Sequence, residues 1–236
     1  MLALPALADL TSSVVQCSRC PRLVEWRENA AREKPSRYAG WEYWARPVPG
    51  FGDPEASVVV IGLAPAAHGG NRTGRMFTGD RSGDWLFGAL HLAGFANQAT
   101  SRDRNDGLRL TGTYVTAVVR CAPPANRPVP SERDNCLPYL IQELVLLKKA
   151  RVLVCLGSYA WDEALRAIAV RGHKVRPRPR FTHGAQATAG PYVLLGSYHP
   201  SQQNTLTGRL TRTMLDEVFE RARTLVAQQP EAAEGG

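Results

Sequence analysis

Apolar residues along this chain fall into two patterns that alternate with each other. Residues 57–63 (Ser-Val-Val-Val-Ile-Gly-Leu), 112–119, 151–156 and 192–196 are short runs, largely aliphatic or β-branched. Such runs are expected of strands buried on both faces of a parallel sheet. Between them the apolar positions recur with helical period. Residues 84–93 place Leu86, Phe87, Leu90 and Ala93 on one face, and residues 158–170 form a second such stretch. The clearest is C-terminal, with Leu210, Met214, Leu215, Val218, Phe219, Ala222 and Leu225 on one stripe. Ser131 opens a further helix through Ser-Glu-Arg-Asp, a serviceable capping box, and that helix is predicted to break near Pro138 and resume through Leu147. Strands alternating with helices predict an α/β fold, a parallel sheet with helices on both faces. No internal repeat is present, so residues 1–229 read as a single domain and 230–236 as a disordered tail.

Composition narrows the class. A chain of 236 residues that is 44% hydrophobic and 21% charged can bury a sizeable core, which argues against disorder and coiled coil. The apolar stretch at residues 4–15 is interrupted by Asp9 and too short to span a membrane. It also lacks a basic leading region, so it does not read as a signal peptide, and the cytoplasm is the expected location. The net charge of +8 suits a polyanionic partner through counterion release, and equally a solvated basic surface. Arginine position therefore matters more than arginine count.

Five cysteines add chemistry. Cys155 lies inside an apolar run, where a free thiol behaves as a small hydrophobe. The other four are Cys17 and Cys20 in a Cys-x-x-Cys pair, then Cys121 and Cys136. Four thiolates suit either tetrahedral zinc or an iron–sulfur cluster, and the spacing does not choose between them.

In open α/β sheets ligands bind beyond the carboxyl ends of the strands. Two segments there are long and rich in glycine and polar residues. The first, residues 62–83, is neither a dinucleotide fingerprint nor a P-loop, and it offers a ring to stack on (Phe77) and a carboxylate (Asp80). The second, residues 196–209, contributes the imidazole of His199, hydroxyls and amides including Ser201 and Asn204, and Leu206 at its far end.

These motifs together resemble the uracil-DNA glycosylase superfamily. The resemblance is carried by Gly62-Leu-Ala-Pro65, by Phe77-Thr-Gly-Asp80 and by His199-Pro-Ser201. The four cysteines, the segment Val119-Arg-Cys-Ala-Pro-Pro124 and the long first loop through His68 and Asn71-Arg-Thr-Gly74 are similar to the iron–sulfur type called family 5. It extends from about Cys17 to Phe219. It implies a three-layer α/β/α sandwich around a central four-stranded parallel sheet, with a [4Fe–4S] cluster on Cys17, Cys20, Cys121 and Cys136. The implied reaction is hydrolysis of the N-glycosidic bond of a damaged base flipped out of double-stranded DNA, by a monomeric enzyme.

The resemblance also implies residue roles. Asp80 would orient the attacking water or stabilise the sugar cation; otherwise it is an N-cap for the helix near Gly83. His199 would donate a hydrogen bond to the departing base, and Phe77 would stack on it. Gly62, Leu63, Ala64, Ala117 and Asn204 would line the base pocket. Leu206 would fill the gap in the duplex or simply pack its loop, while Arg75, Ser201 and Arg209 would contact DNA. His68 shares the cleft or buttresses the loop. Residues 38–51, with Trp41, Tyr43 and Trp44, pack beside the cluster or against DNA.

Two departures stand out. Where family-4 enzymes carry a carboxylate just after the first glycine, this chain has Leu63, and where they read the base with asparagine it has Ala117. Losing a bidentate amide relaxes discrimination, which predicts a broad pocket accepting uracil, hypoxanthine, 5-hydroxymethyluracil and ethenocytosine. None of the four lysines lies in either loop, so a monofunctional glycosylase is expected. Competing readings are a non-enzymatic nucleic-acid-binding module with a structural zinc, and an iron–sulfur electron carrier or small-molecule oxidoreductase.

Overall fold

A computed structural model describes residues 6–228; the tail expected at 230–236 lies outside the described residues. Six strands build one sheet: β1 (Phe51–Gly52), β2 (Val58–Gly62), β3 (Thr113–Ala117), β4 (Val152–Leu156), β5 (Gln186–Ala189) and β6 (Tyr192–Ser197). Their order is β1-β3-β2-β4-β6-β5. The inner four are parallel, as expected. The sheet is nonetheless wider than the four strands expected, because β1 and β5 add antiparallel edges. Both escape a search for continuous apolar runs. β1 is two residues long, and β5 reads Gln-Ala-Thr-Ala with its outer residues exposed.

Period-two alternation divides the strand side chains between two cores. Val59, Ile61, Leu153, Cys155 and Leu194 face one side, where they pack with Leu140, Trp161 and Ile168. Those three come from α5 (Pro130–Leu146) and α6 (Ser158–Val170). Val58, Val60, Val115, Val154 and Leu195 face the other, against Leu86, Leu90, Leu215 and Phe219. These belong to α4 (Arg81–Leu92) and α8 (Arg212–Ala227). The result is the three-layer sandwich, and Cys155 is core as its sequence context indicates. Four further helices complete the described chain: α1 (Leu7–Val15), α2 (Pro21–Arg32), the short α3 (Gly70–Thr73) and α7 (Gln202–Leu206).

Helix α5 differs from expectation at two points. Its N-cap is Val129 rather than Ser131, and the Glu132 carboxylate accepts the Val129 N–H at 2.8 Å. It also runs through Pro138 without a break. The ring is exposed, while Leu137, Leu140 and Leu144 are buried against the sheet and hold the turn on either side.

From β2 the chain moves to β3 on one side and then crosses to β4 on the other. Strand order thus reverses around β2, and the crevice at the carboxyl ends of β2 and β4 is the switch point where such sheets bind ligands.

Candidate active site

The first loop begins as an extension of the sheet. Gly62 O and Leu63 O accept the N–H groups of Val118 and Val119 at 3.0 and 2.9 Å, so the β2–β3 ladder continues past both strands. Ala117 pairs with Gly62 in register and is fully buried, while Leu63 and Ala64 are half-buried. The Phe77 ring lies directly over Gly62, where a Cβ would come within 2.6 Å of its Cζ. Only glycine permits that approach. Phe77 itself sits at φ +54, a left-handed conformation costing about 1 kcal/mol or more for a non-glycine residue and typical of sites that must be held in one geometry.

The neighbouring ring is His199, with centroids 5.9 Å apart and planes tilted by 31°. His199 follows β6, and a Cβ on Gly157, at the end of β4, would lie 3.7 Å from its own. Burial pushes its pKa down to about 4, so the imidazole is neutral near pH 7. Asn204 Nδ2 donates to the His199 carbonyl at 2.9 Å, and Ser201 Oγ accepts the Asn204 N–H at 3.3 Å as the N-cap of α7. In this arrangement the expected base contact of Asn204 and the expected DNA contact of Ser201 are both engaged in holding the loop that carries His199.

Asp80 is the N-cap of α4, its Oδ1 accepting the Gly83 N–H at 2.9 Å. Its Oδ2 lies against the Cα of Gly69, where a Cβ would collide at 2.0 Å. Burial raises the Asp80 pKa, opposed by the Gly83 and Ser82 N–H groups and the charge of Arg72, with Asp84 adding to the rise. The carboxylate lines a cleft of about 760 Å³ together with His68, Arg72, Arg81, Tyr38 and Trp41. Gln202, at the start of α7, lines it too, so the two loops meet there. The Tyr43 hydroxyl lies 3.1 Å from His68 Nδ1, and burial beside Arg37 and Arg72 lowers the His68 pKa.

The loop arginines divide sharply. Arg75 is 6% exposed and paired with Asp106 at 2.8 Å, with further bonds to Thr78 and Ser101. In this arrangement the guanidinium expected to contact DNA is engaged on internal partners, as happens to a guanidinium in a loop that folds back on itself. Arg209 is exposed, its guanidinium 4.5 Å from the Tyr198 ring centroid. Leu206, the last residue of α7, is 62% exposed, so packing does not account for it.

Cys17, Cys20, Cys121 and Cys136 ring one small cavity, walled by Leu23, Val24, Pro47, Arg19, Arg27 and Arg120. Arg27 Nη1 lies 3.2 Å from Cys121 Sγ, and Asn135 Nδ2 lies 3.4 Å from Cys20 Sγ. Arg120 is neutralised by Glu143 at 2.6 Å, which leaves Arg19, set over the Tyr139 ring, and Arg27 as the cations lining the cavity. Among the described residues no three His, Cys, Asp or Glu side chains form a single-ion site. The four thiols surround a space instead of converging on a point.

The sequence profile of the uracil DNA glycosylase superfamily matches residues 49–223. The chain belongs to that superfamily. Over 93% of its length it is 51% identical to the type-5 uracil-DNA glycosylase of Mycobacterium tuberculosis, covering 82% of that protein. The type-5 enzymes of Thermus thermophilus and Pyrobaculum aerophilum are 49% and 46% identical over 90% and 91% of the chain, with 95% and 91% of each covered. It is a uracil-DNA glycosylase of the type-5 kind and a hydrolase of N-glycosyl bonds. The readings as a non-enzymatic binding module and as an electron carrier are overturned.

In this glycosylase the aromatic segment left open by the sequence packs along the first loop. Trp44 and Ala45 donate their N–H groups to Arg72 O and Asn71 O, both at 3.0 Å. Tyr38 and Trp41 thus become walls of the Asp80 cleft. Sequence reasoning missed them because nothing local ties residues 38–45 to residues 71–72. The one available signal is the density of large aromatics, Tyr38, Trp41, Tyr43 and Trp44 within residues 38–45.

Proposed function

We propose that this enzyme is a monofunctional glycosylase of broad lesion range, acting on uracil, hypoxanthine, 5-hydroxymethyluracil and ethenocytosine in double-stranded DNA. The observation that carries the reading is the ring of Phe77, fixed over Gly62 and beside a neutral His199, with Asp80 three residues further along the same loop. Phe77 offers the flipped base an aromatic face. The neutral His199 donates an N–H to the base's carbonyl oxygen, stabilising the negative charge that develops as the glycosidic bond breaks. Asp80, ionised, orients the attacking water or stabilises the oxocarbenium-like sugar. Leu63 and Ala117 present neither carboxylate nor amide to the base edge, which leaves the pocket tolerant.

Lys34 is the amine nearest the cleft walls, and its Nζ donates to Trp41 O at 2.6 Å over the Tyr43 ring. With its amine engaged there and no lysine in either loop, no nucleophile for Schiff-base chemistry is offered by the loops, which supports hydrolysis without strand cleavage. Arg209 contacts phosphate and Leu206 fills the gap left by the flipped base. The enzyme works as a monomer in the cytoplasm.

The four-thiol cavity, walled by apolar side chains and by Arg19 and Arg27, fits a dianionic [4Fe–4S] centre held by Cys17, Cys20, Cys121 and Cys136. When bound, the cluster supplies iron–thiolate bonds that join the N-terminal segment to the loop after β3 and to α5; no hydrolytic step passes through it.

The test is incubation with labelled duplexes carrying each lesion, followed by alkali. Cleavage of all four supports the reading, with loss in Asp80→Asn and His199→Gln. A strictly uracil-specific profile overturns the broad pocket, and strand nicking without alkali overturns the monofunctional assignment. Colourless purified protein with no absorbance near 400 nm overturns the cluster.

A further inference from the structure

We propose that Arg72 is the positioning residue for Asp80: its guanidinium, set against the rings of Tyr38 and Trp41, bridges the two backbone segments that close around the Asp80 carboxylate. The proposal rests on the reading of Asp80 as a group that acts in hydrolysis. Arg72 Nε donates to His68 O at 2.8 Å, and Nη2 donates to Gly79 O at 2.8 Å. Residue 68 precedes Gly69, against whose Cα the Asp80 Oδ2 rests, and residue 79 precedes Asp80 itself. One planar side chain therefore fixes the wall against which the carboxylate lies and the peptide that carries it.

The rings explain why this fork is an arginine. Its central carbon lies 4.2 Å from the Tyr38 centroid and 4.1 Å from that of Trp41. Arg72 is 4% exposed, and its buried Nη1 has no hydrogen-bond partner. Two π faces compensate a desolvated cation at that distance, and they accept a flat guanidinium far better than an ammonium. Lysine has one donor head and cannot bridge both carbonyls while stacked. The charge also matters for the acid. Asp80 is faced by Asp84 and Arg81 from its own helix, by Arg72 from α3, and across the cleft by His68, Arg37 and Arg102. Arg72 is the cation among them that favours the ionised carboxylate against burial.

The experiment is the single-turnover cleavage rate of a uracil-containing duplex as a function of pH and of enzyme concentration. Variants are Arg72→Gln, Arg72→Lys, Trp41→Leu, Tyr38→Leu and Asp80→Asn. In Arg72→Gln the maximal rate is expected to fall about tenfold or more, and the acidic limb to move up by about one pH unit. Half-saturation for duplex is expected to stay within about twofold. Arg72→Lys should recover little of the rate, and Trp41→Leu should move the limb in the same direction by less. Trp41 is partly exposed, so Trp41→Leu and Tyr38→Leu decide the matter if Arg72 variants do not fold. Acidic limbs at the wild-type position in the folded variants overturn the proposal. Full activity in Asp80→Asn overturns it together with the catalytic reading of Asp80. An inactive Asp80→Asn alongside unshifted limbs overturns the role of Arg72 alone.

Discussion

His199 connects stability to pH in a way that can be worked out from its burial. The ordinary imidazole pKa of 6.5 is lowered to about 4 in the folded chain by desolvation alone. Because the folded pKa lies below the unfolded one, the unfolded state binds the proton more readily. Stability is therefore complete above about pH 6.5 and is lost as pH falls towards 4. Between about pH 7.5 and pH 5 the linkage relation gives a loss of up to about 2 kcal/mol from this one group. The assay is urea unfolding at a series of pH values for the wild type and for His199→Gln, which cannot titrate in that range. Contributions from other groups with shifted pKa values, among them His68, His183 and Glu163, cancel in the difference between the two curves. The difference should change by about 2 kcal/mol across the window, wild type losing more. Parallel curves, or a His199 ring that titrates near 6.5 by NMR, would refute the assignment of a neutral buried donor.

Three further outcomes follow from contacts at the site. Gly69→Ala places a methyl 2.0 Å from Asp80 Oδ2 and should lower the cleavage rate roughly a hundredfold with little change in duplex binding. Gly40→Ala, which meets nothing within 4 Å, is the matched control. Asp106→Ala strands the buried Arg75 guanidinium and should cost about 3 kcal/mol in chemical denaturation. If Arg75 instead served DNA, the stability would hold and the salt dependence of binding would fall. Ala117→Asn introduces an amide beside Gly62 and should raise the ratio of uracil to hypoxanthine cleavage about tenfold; an unchanged ratio would show that this position does not read the base.

The parallel sheet and the helices that cover it were legible because each parallel strand is a single buried run and most of the covering helices carry one apolar stripe. Residues 158–170 match α6 at both ends. The edges were not legible, since β1 and β5 depend on a neighbour's hydrogen bonds rather than on their own composition. Pro138 misled for a related reason: a proline breaks a helix only when nothing outside holds the turn, and here flanking leucines are buried against the sheet. At the site, Phe77, Asp80 and His199 could be picked out because their motifs are contiguous. The arginines could not be sorted, because a guanidinium's role depends on which carbonyls and carboxylates the loop brings to it. Arg72 and Arg75 lie three residues apart, and both are buried on internal partners.

That sorting changes what the net charge of +8 means. A count of cations in the two loops suggests a ready phosphate grip, yet the buried arginines act on the protein itself, leaving exposed residues such as Arg81 and Arg209 to meet a polyanion. Inside the site, burial acts on both reacting groups, and at Asp80 it is opposed by helix N–H groups and by Arg72. Burial disfavours the charged form of both Asp80 and His199, and hydrolysis as proposed requires neutrality in only one of them. His199 is faced by the Phe77 ring and keeps the neutral form that donates to a leaving base. Asp80 receives two helix N–H groups and a guanidinium clamped nearby, all of which favour its anion. One loop, by carrying a ring and an acid three residues apart, thus gives two buried groups opposite electrostatic surroundings: the N–H groups of Gly83 and Ser82 act first on Asp80, and the buried Arg72, rather than any exposed arginine, adds to them.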